Sequence, residues 1–249
     1  MVDFHTHILP CLDDGAASCE ESLNMLRKER EHGVDTVIAT PHFYADRDDP
    51  EAFLKKRETA YKKLLLEMEN FESRELPRIV LGAEVAYFEG MSDCEELSLL
   101  NIEGTKLLLL EMPAIRWNER MIAEVVAIYE KTGLIPVIAH IDRYIRVFNN
   151  RHMAEWFSDL PVLIQAHASF FTGWKYTRMA LKMFDRGQIH LLGSDCHNTS
   201  TRPPEMNLAT DALKKKFGDG VIDYLEHNEK KGVFKLKKRN LIGPAALKT

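Results

Sequence analysis

Seven short apolar runs, near residues 2–7, 34–40, 78–84, 106–111, 134–140, 160–166 and 189–194, are mostly separated by stretches of helical periodicity. Such a rhythm builds a parallel sheet, because parallel neighbours need a crossover connection and a helix supplies it. The polar residues narrow the choice further. His5 and His7 end the first run, and His42, Glu84, Glu111, His140 and the pair Asp195 and His197 lie at or just past the ends of later ones. In a closed parallel barrel all strand ends face one mouth, whereas an open doubly wound sheet gathers them only near its switch point. The expected fold is therefore α/β, a distorted TIM-like (β/α)7 barrel with one unit fewer than usual.

Local signals support the helical segments. Ser18 and Glu21 form a capping box, Leu23, Met25 and Leu26 supply apolar positions and Gly33 stops the first helix. Asp49 and Pro50 open a second that runs through Phe53, Tyr61, Leu64, Leu65 and Met68, and further helices are expected over 118–132, 174–187 and 204–217. The acidic segment 86–104 reads as a loop with short helical pieces. A chain of 249 residues, 45% hydrophobic, suits one large core, so a single domain over 1–249 is expected. The lysine-rich end from about residue 228 reads as a solvated, less ordered tail.

The donor types define the chemistry. Imidazoles mixed with carboxylates suit manganese, iron or zinc, and the number of candidate ligands exceeds what one four-coordinate ion with open positions uses. Two or three ions sharing carboxylates are expected, with Glu111, which closes Lys106-Leu-Leu-Leu-Leu-Glu111, as the candidate bridge. His32, His152, His190 and His227 are read as surface or hydrogen-bonded core residues, and His167, just past the sixth run, is left out of the metal set. Alternation along a strand is expected to aim His5 and His7 the same way, and to turn Cys196 away from Asp195 and His197. Cys11, Cys19, Cys94 and Cys196 contain no Cys-x-x-Cys pair, which excludes a zinc knuckle and a dithiol motif. A net charge of −5 gives no general attraction to nucleic acid or anionic membrane. No run approaches the roughly 20 apolar residues of a membrane span, and the first residues lack the layout of a signal peptide, so a cytoplasmic protein is expected.

The segments Asp3-Phe-His-Thr-His-Ile-Leu-Pro10 with Asp13-Asp14-Gly15, Ala39-Thr-Pro-His42, Gly82-Ala-Glu84, Ile138-Ala-His140 and Gly193-Ser-Asp-Cys-His-Asn198 occur in that order. Together they resemble the polymerase-and-histidinol-phosphatase (PHP) superfamily. More narrowly, they are similar to the bacterial manganese-dependent protein-tyrosine phosphatases encoded with capsule and exopolysaccharide machinery. The resemblance extends to roughly residue 225. It implies a distorted barrel with a trinuclear manganese centre, for which iron, zinc or magnesium can substitute, hydrolysing phosphotyrosine without a cysteine nucleophile. His5, His7, His42, Glu84, Glu111, His140, Asp195 and His197 match its metal-ligand positions. Arg143 and Arg202 match arginines placed to hold the phosphate, and Asp14 matches a loop aspartate in proton transfer, although its carboxylate suits a turn-capping role equally well. The implied partner is a phosphotyrosine protein, a membrane-associated bacterial tyrosine kinase controlling polysaccharide export.

The chain departs from that pattern in two places. After His140 the family commonly has Pro-Glu-Arg where this chain has Ile141-Asp142-Arg143, and Gln165-Ala-His-Ala-Ser-Phe-Phe171 adds a histidine and two aromatics. Substrate identity is thus left open between a phosphotyrosine protein and a small phosphomonoester such as histidinol phosphate. A non-catalytic, metal-stabilised binding module would require a broken ligand set, and none of the expected positions is lost.

Overall fold

The computed structural model describes residues 1–72, 74–148, 153–222 and 225; the lysine-rich end lies outside the described residues. Among the described residues there are nine parallel strands: β1 (Val2–Thr6), β2 (Thr36–Ala39), β3 (His42–Phe43), β4 (Arg78–Leu81), β5 (Glu84–Ala86), β6 (Leu107–Glu111), β7 (Ile135–Ile138), β8 (Leu163–His167) and β9 (Leu191–Gly193). They pair as β1-β2-β4 and as β3-β5-β6-β7-β8-β9. β2 and β3 are two halves of one run, separated at Thr40 and Pro41, and β4 and β5 are halves separated at Gly82 and Ala83. Proline has no N–H to give to a ladder, which accounts for the first break.

Counting each split run once leaves the seven strands expected from the sequence, and they close into a ring. A parallel bridge joins Thr6 to Cys196, Asp195 N donates to His5 O at 2.8 Å, and His7 N donates to Cys196 O at 2.9 Å. Around the barrel lie α1 (Cys19–Glu31), α2 (Pro50–Met68), α3 (Glu119–Thr132), α4 (Ile141–Phe148), α5 (Trp174–Asp185) and α6 (Met206–Phe217). The caps follow expectation: Ser18 accepts from Glu21 N, Asp49 from Ala52 N and Asn118 from Met121 N. Short 3-10 turns at Met91–Asp93 and Glu95–Leu99 fill the segment expected to be a loop with helical pieces. None of the described helices is long and apolar enough to cross a membrane. α4 was not expected; it starts directly after His140 and has only eight residues, too few for helical periodicity to show.

Strand alternation sorts the side chains into two cores. Phe4, Ile38, Leu107, Leu109, Ile135, Val137, Leu163 and Leu191 fill the inside of the barrel, while Val37, Leu81, Val85, Leu108, Leu110, Ile138, Ile164 and Leu192 pack against the helices. Each such fully buried side chain contributes about 1.5–3 kcal/mol relative to exposure. The inner apolar layer forms the floor on which the next inward positions stand, and those are the polar residues of the mouth.

β1 corrects the simple alternation. Its register slips between Asp3 and Thr6, where three steps on β1 face two on β2. A bulge of this kind re-aims side chains next to a site. Unbroken alternation would put Asp3 on the same face as His5 and His7; instead its carboxylate pairs with Glu29 of α1.

Candidate metal centre

The eight candidate ligands converge at the mouth of the barrel. His5 Nε2 and His7 Nε2 lie 3.1 Å apart, and Glu84 Oε2 sits 3.2 Å from the first and 3.3 Å from the second. Asp195 Oδ1 is 3.4 Å from both imidazoles. On the other side of Glu84, Oε2 is 3.0 Å from His42 Nδ1, and Oε1 is 3.0 Å from His140 Nε2. Glu111 lies 3.5 Å from His140 Nε2 and 4.0 Å from His42 Nδ1. Asp14 Oδ1 approaches His42 Nε2 at 3.4 Å and His197 Nε2 at 3.3 Å.

Three overlapping donor sets result: His7, Asp14, His42 and His197; His5, His7 and Glu84; and His42, Glu84 and Glu111. The carboxylate common to two sets is Glu84, so the central position expected for Glu111 belongs to Glu84, which faces four imidazoles while Glu111 stays at the rim. Neighbouring ligands of an ion bonded at about 2.1 Å are separated by about 3 Å when they subtend a right angle, and the contacts above cluster there.

Unmet polar atoms give an independent test of fit. Glu84 Oε2, His42 Nδ1 and His197 Nε2 are buried without a hydrogen-bond partner. Such atoms are rare in folded proteins because each costs about 1–3 kcal/mol, and cations placed among them satisfy all three. A mixed imidazole and carboxylate set is also the right chemistry for a transition metal.

The electrostatics are those of a site that exchanges protons for metal. Burial alone would raise Glu84 and Asp195, but the surrounding histidines, His5 foremost, hold both well below the usual carboxylate range. Burial lowers His7, yet Asp13, Asp195 and Glu84 together carry it well above its ordinary value. His197 is pushed down to about 4 by burial and by the neighbouring His7.

Several supporting residues were not assigned from the sequence. Asp13 Oδ2 faces His7 Nδ1 at 2.7 Å and accepts from His42 N at 3.0 Å, so one carboxylate orients two candidate ligands. Carboxylates that hold the outer nitrogen of a ligating histidine set its tautomer and raise its basicity. Burial opposes the charge on Asp13, but His7 and nearby backbone N–H groups hold its carboxyl at about 2. His167 enters the site as well: its Nε2 is 2.7 Å from Asp195 Oδ2 and its Nδ1 is 3.2 Å from Asp142 Oδ2. The two departures from the family pattern, Asp142 and His167, therefore meet each other. Burial lowers His167, but Asp142 and Asp195 raise it to about 10. Among the histidines read as structural, His190 is a half-buried acceptor from Ile164 N, whereas His152 and His227 lie outside the described residues.

Both arginines reach the mouth. Arg143 spans Glu111 Oε1 at 2.8 Å and Asp195 Oδ2 at 2.9 Å, and Arg202 reaches Asp195 Oδ2 at 2.7 Å. Asn198 Oδ1 shapes the loop that presents Arg202 by accepting from Ser200, Thr201 and Arg202 N–H groups. Cys196 Sγ points toward Glu29, 3.8 Å away, and so away from Asp195 and His197 as expected.

Behind the histidines, Asp3 and Glu29 are buried together. Asp3 accepts from His5 N at 3.0 Å and from Ser194 N at 3.0 Å, so it is the charged member. Burial, reinforced by the charge of Asp3, holds Glu29 protonated well above the ordinary value of 4.5. A carboxyl raised in this way adds stability that is complete below the unfolded value and is lost as pH rises through the folded one. Glu29→Gln keeps a neutral donor beside Asp3 and is expected to flatten that loss. Urea midpoints at about pH 5 and about pH 8 check it; a variant that still weakens with pH as the parent does defeats the shared-proton assignment.

Comparison with known proteins follows the same outline. A family model described as "Capsular polysaccharide synthesis, CpsB/CapC" matches residues 1–235. The chain is 30% identical over 239 residues to tyrosine-protein phosphatase YwqE of Bacillus subtilis, covering 92% of this chain and 89% of that protein. It is 30% identical over 233 residues to tyrosine-protein phosphatase CpsB of Streptococcus pneumoniae, covering 88% and 91%. A solved structure described as "Crystal structures of YwqE from Bacillus subtilis and CpsB from Streptococcus pneumoniae, unique metal-dependent tyrosine phosphatases" superposes with a TM-score of 0.77 at 28% identity, covering 92% of this chain and 93% of that one.

Proposed function

Because the chain belongs to the CpsB/CapC family of capsular polysaccharide synthesis, we propose that it is a metal-dependent protein-tyrosine phosphatase. The observation that carries this reading is the convergence of three overlapping donor sets under two arginines. His5, His7, His42, Glu84, Glu111, His140, Asp195 and His197 would hold two or three ions, manganese by preference. Ions held there supply Lewis acidity, acidifying a water as nucleophile and neutralising phosphoryl oxygens.

The chain's own residues do the rest. Arg143 and Arg202 bind the phosphate by leaving their carboxylate partners, with paired, charge-assisted bonds that a lysine does not reproduce. Asp14, at 64% side-chain exposure on the rim, delivers a proton to the departing phenol oxygen. The substrate in this reading is a membrane-associated bacterial tyrosine kinase of polysaccharide export, met in the cytoplasm.

The test compares phosphate release from a phosphotyrosine peptide and from histidinol phosphate by chelated protein restored with manganese, and repeats it on His42→Ala. Manganese-dependent release from the peptide, lost in the variant, is expected. Preference for histidinol phosphate would replace the tyrosine assignment with small-molecule chemistry, and no turnover of either would defeat the phosphatase reading.

Asp14 yields a graded prediction. A phenol with a pKa of about 10 leaves more readily than an alkoxide, so a general acid adds less than its usual share. Asp14→Asn should lower kcat on the peptide by about 10- to 100-fold. Its effect on 4-nitrophenyl phosphate, which releases a far less basic phenolate, should be smaller. Equal losses on both would move Asp14 from proton transfer to metal or loop support.

A further inference from the structure

We infer that His167 is a positioning residue for the metal centre, holding Asp195 in place when the arginines turn to the phosphate; this rests on the metal-dependent reading above. Asp195 has two differently used oxygens. Oδ1 faces His5 and His7 at 3.4 Å each, whereas Oδ2 receives Arg143 at 2.9 Å, Arg202 at 2.7 Å and His167 at 2.7 Å. Two of the three groups on Oδ2 are those proposed to hold the phosphate. Once they swing to the substrate, the carboxylate loses two anchors, and the terminal torsion of an aspartate is too soft to keep its oxygens assigned unaided. His167 is the anchor that stays.

The histidine is itself held rigidly. Its backbone N–H donates to Asp142 Oδ1 at 3.0 Å, its Nδ1 faces Asp142 Oδ2 at 3.2 Å, and its ring lies 5.3 Å from that of His140. Both ring nitrogens face carboxylate oxygens, so both act as donors. Coordination through Nε2 is disfavoured, because an ion at Oδ2 would sit beside two guanidinium groups. Asp142 is buried at the start of α4, which also carries Arg143, so one short helix places both the arginine and the support of the histidine.

The test uses the full chain, stripped with chelator and titrated with manganese, reading stoichiometry by elemental analysis and affinity by competition with a chromophoric chelator. His167→Ala is expected to weaken binding of one ion about 10- to 100-fold, the range for lost outer partners of metal ligands. kcat should fall while KM changes little. His167→Gln, which keeps a donor toward Asp195, should recover part of the affinity, and Asp142→Asn should fall between. Should His167→Ala fail to fold, the other two variants carry the comparison. Wild-type affinity in all variants, or a loss confined to KM, would overturn the inference, the latter by assigning His167 to the phosphate. Failure of the parent protein to bind manganese would instead defeat the metal-dependent reading itself.

Discussion

Glu84→Gln should bind at least one ion fewer than the parent and turn over phosphotyrosine peptide about 10³-fold more slowly or worse. The size of the effect follows from position. Glu84 lies within 3.3 Å of four imidazoles and belongs to two of the three donor sets. An amide keeps the volume but loses the charge and one acceptor, so both sets weaken together. Removing Glu111, which belongs to one set and is half-covered at the rim, should do less. Elemental analysis of manganese-loaded protein beside initial rates checks both statements, with circular dichroism of the chelated variant as the folding control. A Glu84→Gln protein with full metal content would remove the shared carboxylate from the mechanism.

Gly15→Ala should destabilise the chain by about 3 kcal/mol or more and depress metal binding, although residue 15 offers no ligand atom. A Cβ there would overlap the carbonyl oxygen of His7 and lie 2.6 Å from His7 Cβ, with Asp13 Oδ1 at 2.9 Å. Two of these atoms belong to His7, just past the end of β1, so relief requires moving the loop or the end of that strand. The loop is tied there by Ala16 N donating to His7 O at 3.0 Å and by Gly15 N donating to Asp13 Oδ1 at 2.9 Å. Displacing it pulls Asp13 from His7 and disturbs two candidate ligands together. Urea unfolding of chelated protein, followed by manganese titration, separates the stability loss from the site loss. A variant as stable as the parent, with unchanged metal affinity, would show that the close approach is not needed.

Much of this arrangement was legible because barrels obey a positional rule. The eight candidate ligands were found from their places at the ends of apolar runs, and the seven runs themselves appear as strands or split strands. The supporting residues are harder to read. Asp13 acts on His7 and His42 from the loop after β1, and His167 closes β8, but its partners Asp142 and Asp195 lie 25 and 28 residues away. Glu29 reads as one more helical acid until its burial against Asp3 is seen. The bulge in β1 is hidden because Asp3, His5 and His7 keep the spacing of a regular strand while the backbone breaks it. Glu111 was the candidate bridge because a glutamate closing an apolar run needs a cation nearby, and that argument says nothing about how many imidazoles a carboxylate will face.

The closure of the ring between β1 and β9 sets a timetable for the chain during synthesis. The second neighbour of β1, Asp195 to Cys196, is made nearly two hundred residues after β1 itself. Until then the N-terminal strand has an open edge, and the donors from residues 5 to 140 lack Asp195 and His197. Long-range parallel pairing is slow and leaves edges exposed to other chains. A nascent chain paused before residue 195 is thus at its most aggregation-prone while it is still unable to assemble the full set of metal donors, so one segment completes both barrel and donor set. Chaperone occupancy should drop, and metal uptake reach its full extent, as that segment clears the ribosome.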